Sequence, residues 1–179
     1  MNADHSNSAM HRYFAGLAES TFQTRLGVVD PTLVDYLSDL LLRFVRSDVV
    51  HQVRGITGRP IMTVTELAAE ATARLGEAKR DIHQHIGDFT LFWAGIFPEA
   101  LGHRNEKADS QFETFCSHGK RSYLIASTIV SDKQDAVPAP VLERLSERFE
   151  LCVYGLREVR REWESSDDEN FGPGPILLN

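Results

Sequence analysis

Apolar side chains recur every three or four positions along most of this chain, which is the spacing of one face of an α-helix. The first such stripe consists of Phe14, Leu17, Ala18 and Phe22. A second helix is predicted over residues 31–47, where Asp30 can cap the N-terminus and Pro31 suits the first helical position. On the polar face of this helix Asp39 and Arg43 lie four residues apart, a spacing that allows an ion pair.

Helix-breaking residues divide the middle of the chain. Two glycines and a proline predict a loop over residues 48–62. Thr63 and Glu66 then have the spacing of a capping box, and the helix that they begin is predicted to break near Gly76. The next helix is predicted over residues 77–97. Because its last turns are apolar nearly all round, we expect it at the centre of a bundle.

The second half of the chain predicts two further helices. One covers about 110–130 and carries Gly119 on its apolar stripe, which indicates either the close approach of another helix or a tolerated weak point in this helix. The other runs from Pro140 to about residue 164. Its apolar residues alternate in spacings of three and four and form a heptad seam: Leu142, Leu145, Phe149, Cys152, Leu156, Val159 and Trp163. This seam suits either the core of one chain or a contact between two copies.

Together these elements predict an all-α fold, a single-domain bundle of five or six helices over residues 10–164. A flexible N-terminus (1–9) precedes the bundle, and a mobile acidic tail rich in glycine and proline (165–179) follows it. The chain has 179 residues, of which 42% are apolar, and this is enough to build a substantial core.

Charge and composition indicate which classes of partner and which cellular compartment to expect. The net charge of −7 disfavours a nucleic-acid surface, which normally needs a basic field. The longest dense apolar run, Phe89–Phe97, is about half as long as a membrane-spanning helix, so no span is predicted. The first residues lack a basic segment followed by an apolar one, so we expect no secretory signal and a cytoplasmic location. Cys116 and Cys152 fall on apolar helical positions and are expected to be buried thiols.

One polar stripe could bind a metal ion. Glu77, Asp81, His85 and Asp88 lie four, four and three residues apart, so they share one helix face. Carboxylate and imidazole groups at such spacing can ligate a divalent metal. The same pattern also fits a solvated polar face with internal hydrogen bonds and helix pairs.

A second hypothesis concerns a polar spot between two helices. Asp88 stands at the entry to the most apolar helical segment, where a carboxylate needs hydrogen-bond partners. Tyr123 lies on the apolar stripe of the next helix, and its hydroxyl also needs a partner. We therefore expect Asp88 and Tyr123 to converge, with His85 nearby.

Other chemistries find little support in the motifs. The chain has no Glu-x-x-His pair for a di-iron site, no nucleotide-binding phosphate loop and no Gly-x-Ser-x-Gly nucleophile elbow. The chain has no haem-attachment motif, but single histidines could serve as a haem ligand: His51, His103 and His118. No cofactor is required by the sequence.

Three blocks resemble a bacterial all-helical protein family for which no activity is assigned. The blocks are YLSDLLLRF (36–44), IGDFTLFWAGIFPEAL (86–101) and FCSHGKRSYLIAS (115–127). The matching positions are Tyr36, Leu37, Gly87, Asp88, Leu91, Phe92, Gly95, Phe97, Gly119 and Tyr123. The family's tyrosines before the third-block glycine are absent here, where the chain has FETFCSH (112–118). The resemblance implies a helical bacterial protein, and no catalytic or cofactor-binding residue follows from it.

These observations favour a non-enzymatic helical interaction or ligand-binding module, which could also self-associate through the 142–163 seam. The alternative is a metal-binding protein or metal-dependent enzyme that uses the polar stripe on the 77–97 helix. A third hypothesis is a binder of apolar small molecules around Phe89, Phe92 and Trp93.

Overall fold

The fold is all-α, as the apolar spacing predicts. A computed structural model describes the backbone of residues 2–45, 63–101 and 106–170, and the side chains of residues 10–44, 63–101 and 111–165. This part of the chain contains no strand and seven α-helices: α1 (Asn2–Glu19), α2 (Pro31–Val45), α3 (Val64–Ala73), α4 (Gly76–Ile96), α5 (Glu106–Thr128), α6 (Ala139–Glu147) and α7 (Phe149–Asn170). A π-helical segment, Ser20–Arg25, extends α1, and a 3₁₀ turn, Pro98–Leu101, follows α4. The predicted loop at 48–62 lies outside the described residues.

Local signals in the sequence set several helix ends. Asp30 caps α2, because its Oδ1 accepts a hydrogen bond of 3.2 Å from the backbone N–H of Leu33. Thr63 and Glu66 form the predicted capping box at the start of α3. The break near Gly76 is also confirmed: Arg74 is extended, and Gly76 begins α4 with a φ of +54°.

The prediction of one continuous last helix is wrong. Arg148, with φ −108° and ψ 25°, separates α6 from α7 and raises the helix count to seven. Backbone hydrogen bonds still join Arg148 to Arg144 and Cys152 to Arg148, each at 2.9 Å. Because apolar spacing reports only which side chains share a face, it continues unchanged across this one-residue break. The helix limits differ too, since α7 continues to Asn170 and α1 already begins at Asn2.

The heptad seam lies inside the core of a single chain. Six of its seven side chains have no exposed surface: Leu142, Leu145, Phe149, Cys152, Leu156 and Val159. The seventh, Trp163, is partly buried and packs against this core, where its ring meets Phe14 edge-on at 5.2 Å. The seam therefore forms part of the core within the chain.

Helix α4 occupies the centre of the bundle, as predicted. It packs against α2, α3, α5 and α7. Its C-terminal half belongs to the main core, and its N-terminal half packs with α3 in a smaller cluster of Leu67, Ala71, Ile82 and Ile86. Among the described helices, none is long and apolar enough to cross a membrane.

The contact between α4 and α5 depends on Gly119. A Cβ atom at this position would overlap the hydroxyl of Thr90 on α4 and lie 2.7 Å from the ring of Phe149. The missing side chain therefore lets α5 approach α4 and α7 closely, as its place on the apolar stripe suggests.

We expect Gly119→Ala to lower the free energy of unfolding by about 1–3 kcal/mol, because the added methyl group overpacks the α4–α5 contact. Gly16→Ala is a matched control, since Gly16 lies in α1 with nothing within 4 Å of the Cβ position. There alanine should stabilise the helix by up to about 1 kcal/mol. Urea unfolding of both variants tests the prediction, and equal effects would contradict it.

Candidate functional site

A buried carboxylate joins three helices at the centre of the molecule. Only 2% of Asp88 is exposed. Its Oδ1 accepts hydrogen bonds from the hydroxyl of Tyr36 at 2.5 Å and from the hydroxyl of Tyr123 at 2.7 Å. Its Oδ2 accepts one from Nη1 of Arg43 at 3.0 Å. We call these four residues the Asp88 cluster; both oxygens of its carboxylate are occupied by partners from the protein.

The helical periodicity explains how α2 supplies two of the partners. Tyr36 and Arg43 are seven residues apart, so they lie two turns apart on one face of α2. The guanidinium of Arg43 also lies over the ring of Tyr36, 5.5 Å from its centroid. Asp88 on α4 therefore meets a preformed pair of donors on α2.

A glycine on α4 makes room for the third partner. A Cβ atom at Gly87 would lie 2.6 Å from the ring carbons of Tyr123. Because Gly87 has no side chain, this ring lies directly against α4, and its hydroxyl reaches the carboxylate of the next residue, Asp88. The Gly-Asp pair thus provides both the space for Tyr123 and its hydrogen-bond acceptor.

The protonation states follow from burial and from the central charge. Burial raises the pKa of Tyr36 and Tyr123 well above the ordinary value, and the charge of Asp88 raises both further. Burial tends to lower the pKa of Arg43, but the attraction of Asp88 opposes this and the pKa lies above its ordinary value. At neutral pH the two hydroxyls are therefore protonated donors, and Arg43 is the positive partner of the carboxylate.

His85 lies beside the cluster and belongs to an aromatic stack. Its ring is nearly parallel to that of Phe44, with centroids 6.4 Å apart, and lies 6.5 Å from that of Phe89. Burial lowers the pKa of His85; the charge of Asp88 opposes this, and the charge of Arg43 adds to it. The structure thus brings Asp88 and Tyr123 together, and among the described residues no hydrogen bond joins His85 to either.

The four residues of the proposed metal stripe do not converge on one site. Glu77 accepts a hydrogen bond from Ser131 at 2.7 Å, and Asp81 pairs with Lys133 at 2.6 Å. Both contacts lie against the segment between α5 and α6, whereas Asp88 is enclosed in its cluster and His85 stacks on Phe44. Within the described ranges, no three His, Cys, Asp or Glu side chains form a group that could hold a metal ion.

The remaining reactive side chains lie apart from the cluster. Cys116 is half-buried and Cys152 is buried, and neither forms a disulfide. Burial raises the pKa of their thiols to about 11 and about 12, respectively, so both are protonated at neutral pH. His118 is exposed on α5, while His51 and His103 lie outside the described residues.

Sequence reasoning missed Tyr36 and Arg43 as members of the site. In the sequence, Tyr36 is singled out only by the family resemblance, although its position within an apolar stripe also predicts a buried hydroxyl. The side chains of Arg43 and Asp39 do not form the ion pair that their spacing allows. Arg43 Nε contacts only the backbone oxygen of Asp39, at 3.4 Å. The Asp39 carboxylate instead lies 3.2 Å from Nε2 of His11. The seven-residue spacing of Tyr36 and Arg43 was the available signal.

Comparisons with family models, with curated proteins and with solved structures find no match to this chain. The resemblance to a bacterial helical family therefore depends on the blocks quoted above. Three of its positions, Tyr36, Asp88 and Tyr123, meet within hydrogen-bond distance in the structure.

We expect Tyr36→Phe and Tyr123→Phe each to lower the free energy of unfolding by about 1.5–3 kcal/mol, the range for a hydrogen bond to a charged group. Tyr154→Phe is the matched control, because 52% of Tyr154 is exposed and removal of its hydroxyl should change stability by less than about 0.5 kcal/mol. Chemical denaturation measures all three. The role of the cluster is refuted if the buried tyrosines behave like Tyr154.

The raised pKa of Tyr123 also predicts a dependence on alkaline pH. Unfolded tyrosine ionises near pH 10, while Tyr123 stays protonated in the native state. The unfolded chain then binds fewer protons, so this contribution to stability is complete below about pH 10 and is lost as the pH rises above it. The slope is up to about 1.4 kcal/mol per pH unit. Between about pH 10 and 11, Tyr123→Phe should lose less stability than wild type, whereas equal losses would count against the prediction.

Proposed function

We propose that the protein is a non-enzymatic binding module that recognises an anionic group attached to an apolar body. In this proposal Arg43 contacts the anion, and a patch of aromatic rings beside it contacts the apolar part. Asp88 has a positioning role, because both of its oxygens already accept hydrogen bonds within the protein.

The main support for the proposal is that the guanidinium of Arg43 is held in place while part of its side chain remains exposed. Its Nη1 is fixed on a buried carboxylate and its guanidinium lies over Tyr36, yet 39% of the side chain remains exposed. Among the described residues no hydrogen bond uses Nη2. An arginine held in this way offers free, oriented donors to a carboxylate, phosphate or sulfonate group.

The aromatic patch consists of His85, Phe89, Trp93, Phe97 and Phe115, all half-buried. Neighbouring rings in it have centroids 5.6–6.5 Å apart. The buried indole Nε1 of Trp93 has no hydrogen-bond acceptor among the described residues, although such groups usually find one. A largely apolar surface with a few unsatisfied polar groups is typical of small-molecule sites.

The patch adjoins the arginine through the helix packing. His85 stacks on Phe44, which directly follows Arg43, and Arg43 is close enough to lower the pKa of His85. Because the lowered pKa favours a neutral imidazole at neutral pH, His85 extends the apolar patch and adds no positive charge beside Arg43.

The energetics of the cluster support a functional role. A buried ion pair is rarely the most stable solution, because desolvation offsets most of the attraction and apolar residues of similar volume do as well. Such pairs are useful where a charged group must be held in one orientation. Here the group held is the guanidinium of Arg43, 39% of whose side chain remains exposed.

Anilinonaphthalene sulfonate, which combines an anion with aromatic rings, is a suitable probe for fluorescence titration of the folded protein. We expect saturable binding by wild type and about tenfold weaker binding by Arg43→Gln, since one charge-assisted hydrogen bond is lost. Arg43→Lys keeps the charge but loses the fork of donors, so its affinity should be intermediate.

Arg161→Gln is the matched control, because 73% of the Arg161 side chain is exposed on α7 and its guanidinium pairs with Glu158. It should bind the probe like wild type. Circular dichroism and thermal unfolding must show that each variant is folded, since unfolded chains also bind this dye. The proposal fails if wild type shows no saturable binding, or if folded Arg43→Gln and Arg161→Gln bind equally.

A further inference from the structure

A cavity lies between α4 and the segment that joins α5 to α6. Three contacts tie this segment to α4. Ser131 donates to Glu77 and Lys133 pairs with Asp81, while Nη2 of Arg80 donates to the carbonyl oxygen of Val137 at 2.5 Å. The cavity has a volume of about 170 Å³. It is lined by Arg80, Asp81, Gln84, Lys133, Asp135 and Val137.

Arg80 is the unusual group in this cavity. Only 2% of the residue is exposed, and its Nε has no hydrogen-bond partner among the described residues. In the same part of the chain no carboxylate lies within ion-pair distance of Arg80. A buried cation without a counter-ion is costly, and the one bond to Val137 leaves most of its donors unused.

The other charges of the cavity indicate what could complete the site. Lys133 is already engaged with Asp81 at 2.6 Å and with Glu77 at 3.7 Å. Asp135 is exposed and forms no ion pair among the described residues. The cavity thus presents one unpaired buried cation and one unpaired carboxylate. Gln84 on α4 lies between this cavity and the Asp88 cluster, since it lines the cavity and its Nε2 is 3.4 Å from the hydroxyl of Tyr36.

We propose that this cavity binds a small zwitterion of the α-amino acid class, with the ligand carboxylate on Arg80 and the ligand ammonium on Asp135. Such a ligand neutralises both unpaired groups and leaves the net charge of the site unchanged. A phosphate dianion suits the cavity less well, because two carboxylates, Asp81 and Asp135, line it. A volume of about 170 Å³ is enough for an amino acid with a short side chain.

Three small molecules separate these possibilities on the full chain. L-alanine carries both charges, propionate lacks the ammonium group, and ethylamine lacks the carboxylate. We expect L-alanine to give saturable heat in isothermal titration and to raise the midpoint of thermal unfolding with its concentration. Propionate and ethylamine should each bind at least about tenfold more weakly, since each lacks one charge-assisted contact.

Asp135→Asn tests the ammonium contact without disturbing the core, because Asp135 is exposed. Asp132→Asn is its matched control, since Asp132 is also exposed in the same segment but does not line the cavity. Asp135→Asn should weaken L-alanine binding about tenfold, whereas Asp132→Asn should bind like wild type. Any general stabilisation by a dissolved amino acid acts on both variants alike.

Arg80→Gln tests the carboxylate contact and should abolish the saturable heat. If Arg80→Gln does not fold, the proposal is tested by comparing L-alanine with propionate on wild type and Asp135→Asn with Asp132→Asn. The proposal is overturned if wild type binds L-alanine no better than propionate, which would indicate a plain anion site, or if no ligand gives saturable binding. Equal binding by Asp135→Asn and Asp132→Asn would overturn it as well.

Discussion

The carboxylate of Asp88 is the constraint on which the centre of this bundle depends. It is buried, so its charge must be met by donors from the surrounding helices. Those donors come from α2 and α5, and α4 carries the acceptor. Because removing one hydrogen-bond partner from a charged group costs about 1.5–3 kcal/mol, these contacts oppose displacement of the three helices and rotation about their axes. Apolar packing alone specifies helix rotation less strictly.

The glycines of α4 and α5 are the steric counterpart of this electrostatic constraint. Gly87 lets the ring of Tyr123 lie against α4, and Gly119, one turn earlier on α5, lets the two helices approach. Without this short separation the hydroxyl of Tyr123 would not reach Asp88. A hydrogen bond of 2.7 Å between the two helices therefore requires two positions with no side chain.

Most of the fold can be predicted from the sequence, because apolar spacing, helix caps and helix-breaking residues are local signals. The capping box at Thr63, the cap at Asp30 and the central place of α4 all followed from them. The break at Arg148 could not be predicted, since the side-chain spacing continues across it. In the candidate site, the convergence of Asp88 and Tyr123 followed from the need of two polar groups for partners. Arg43 pairs with Asp88 and not with the carboxylate of Asp39. This pairing depends on tertiary structure, because it requires α4 to pack against α2.

Arg43 and Arg80 both lie against the interior of the molecule, and their charges are compensated in different ways. Arg43 is compensated internally by Asp88 and keeps an exposed edge, so its burial strengthens an oriented cation. Arg80 is more deeply buried and is offered only a backbone carbonyl. Since a backbone dipole neutralises a full charge only in part, the second arrangement is incomplete by itself. The two arginines therefore differ in how their charge is compensated: the partner of Arg43 is a carboxylate of the chain, whereas that of Arg80 is a backbone carbonyl oxygen.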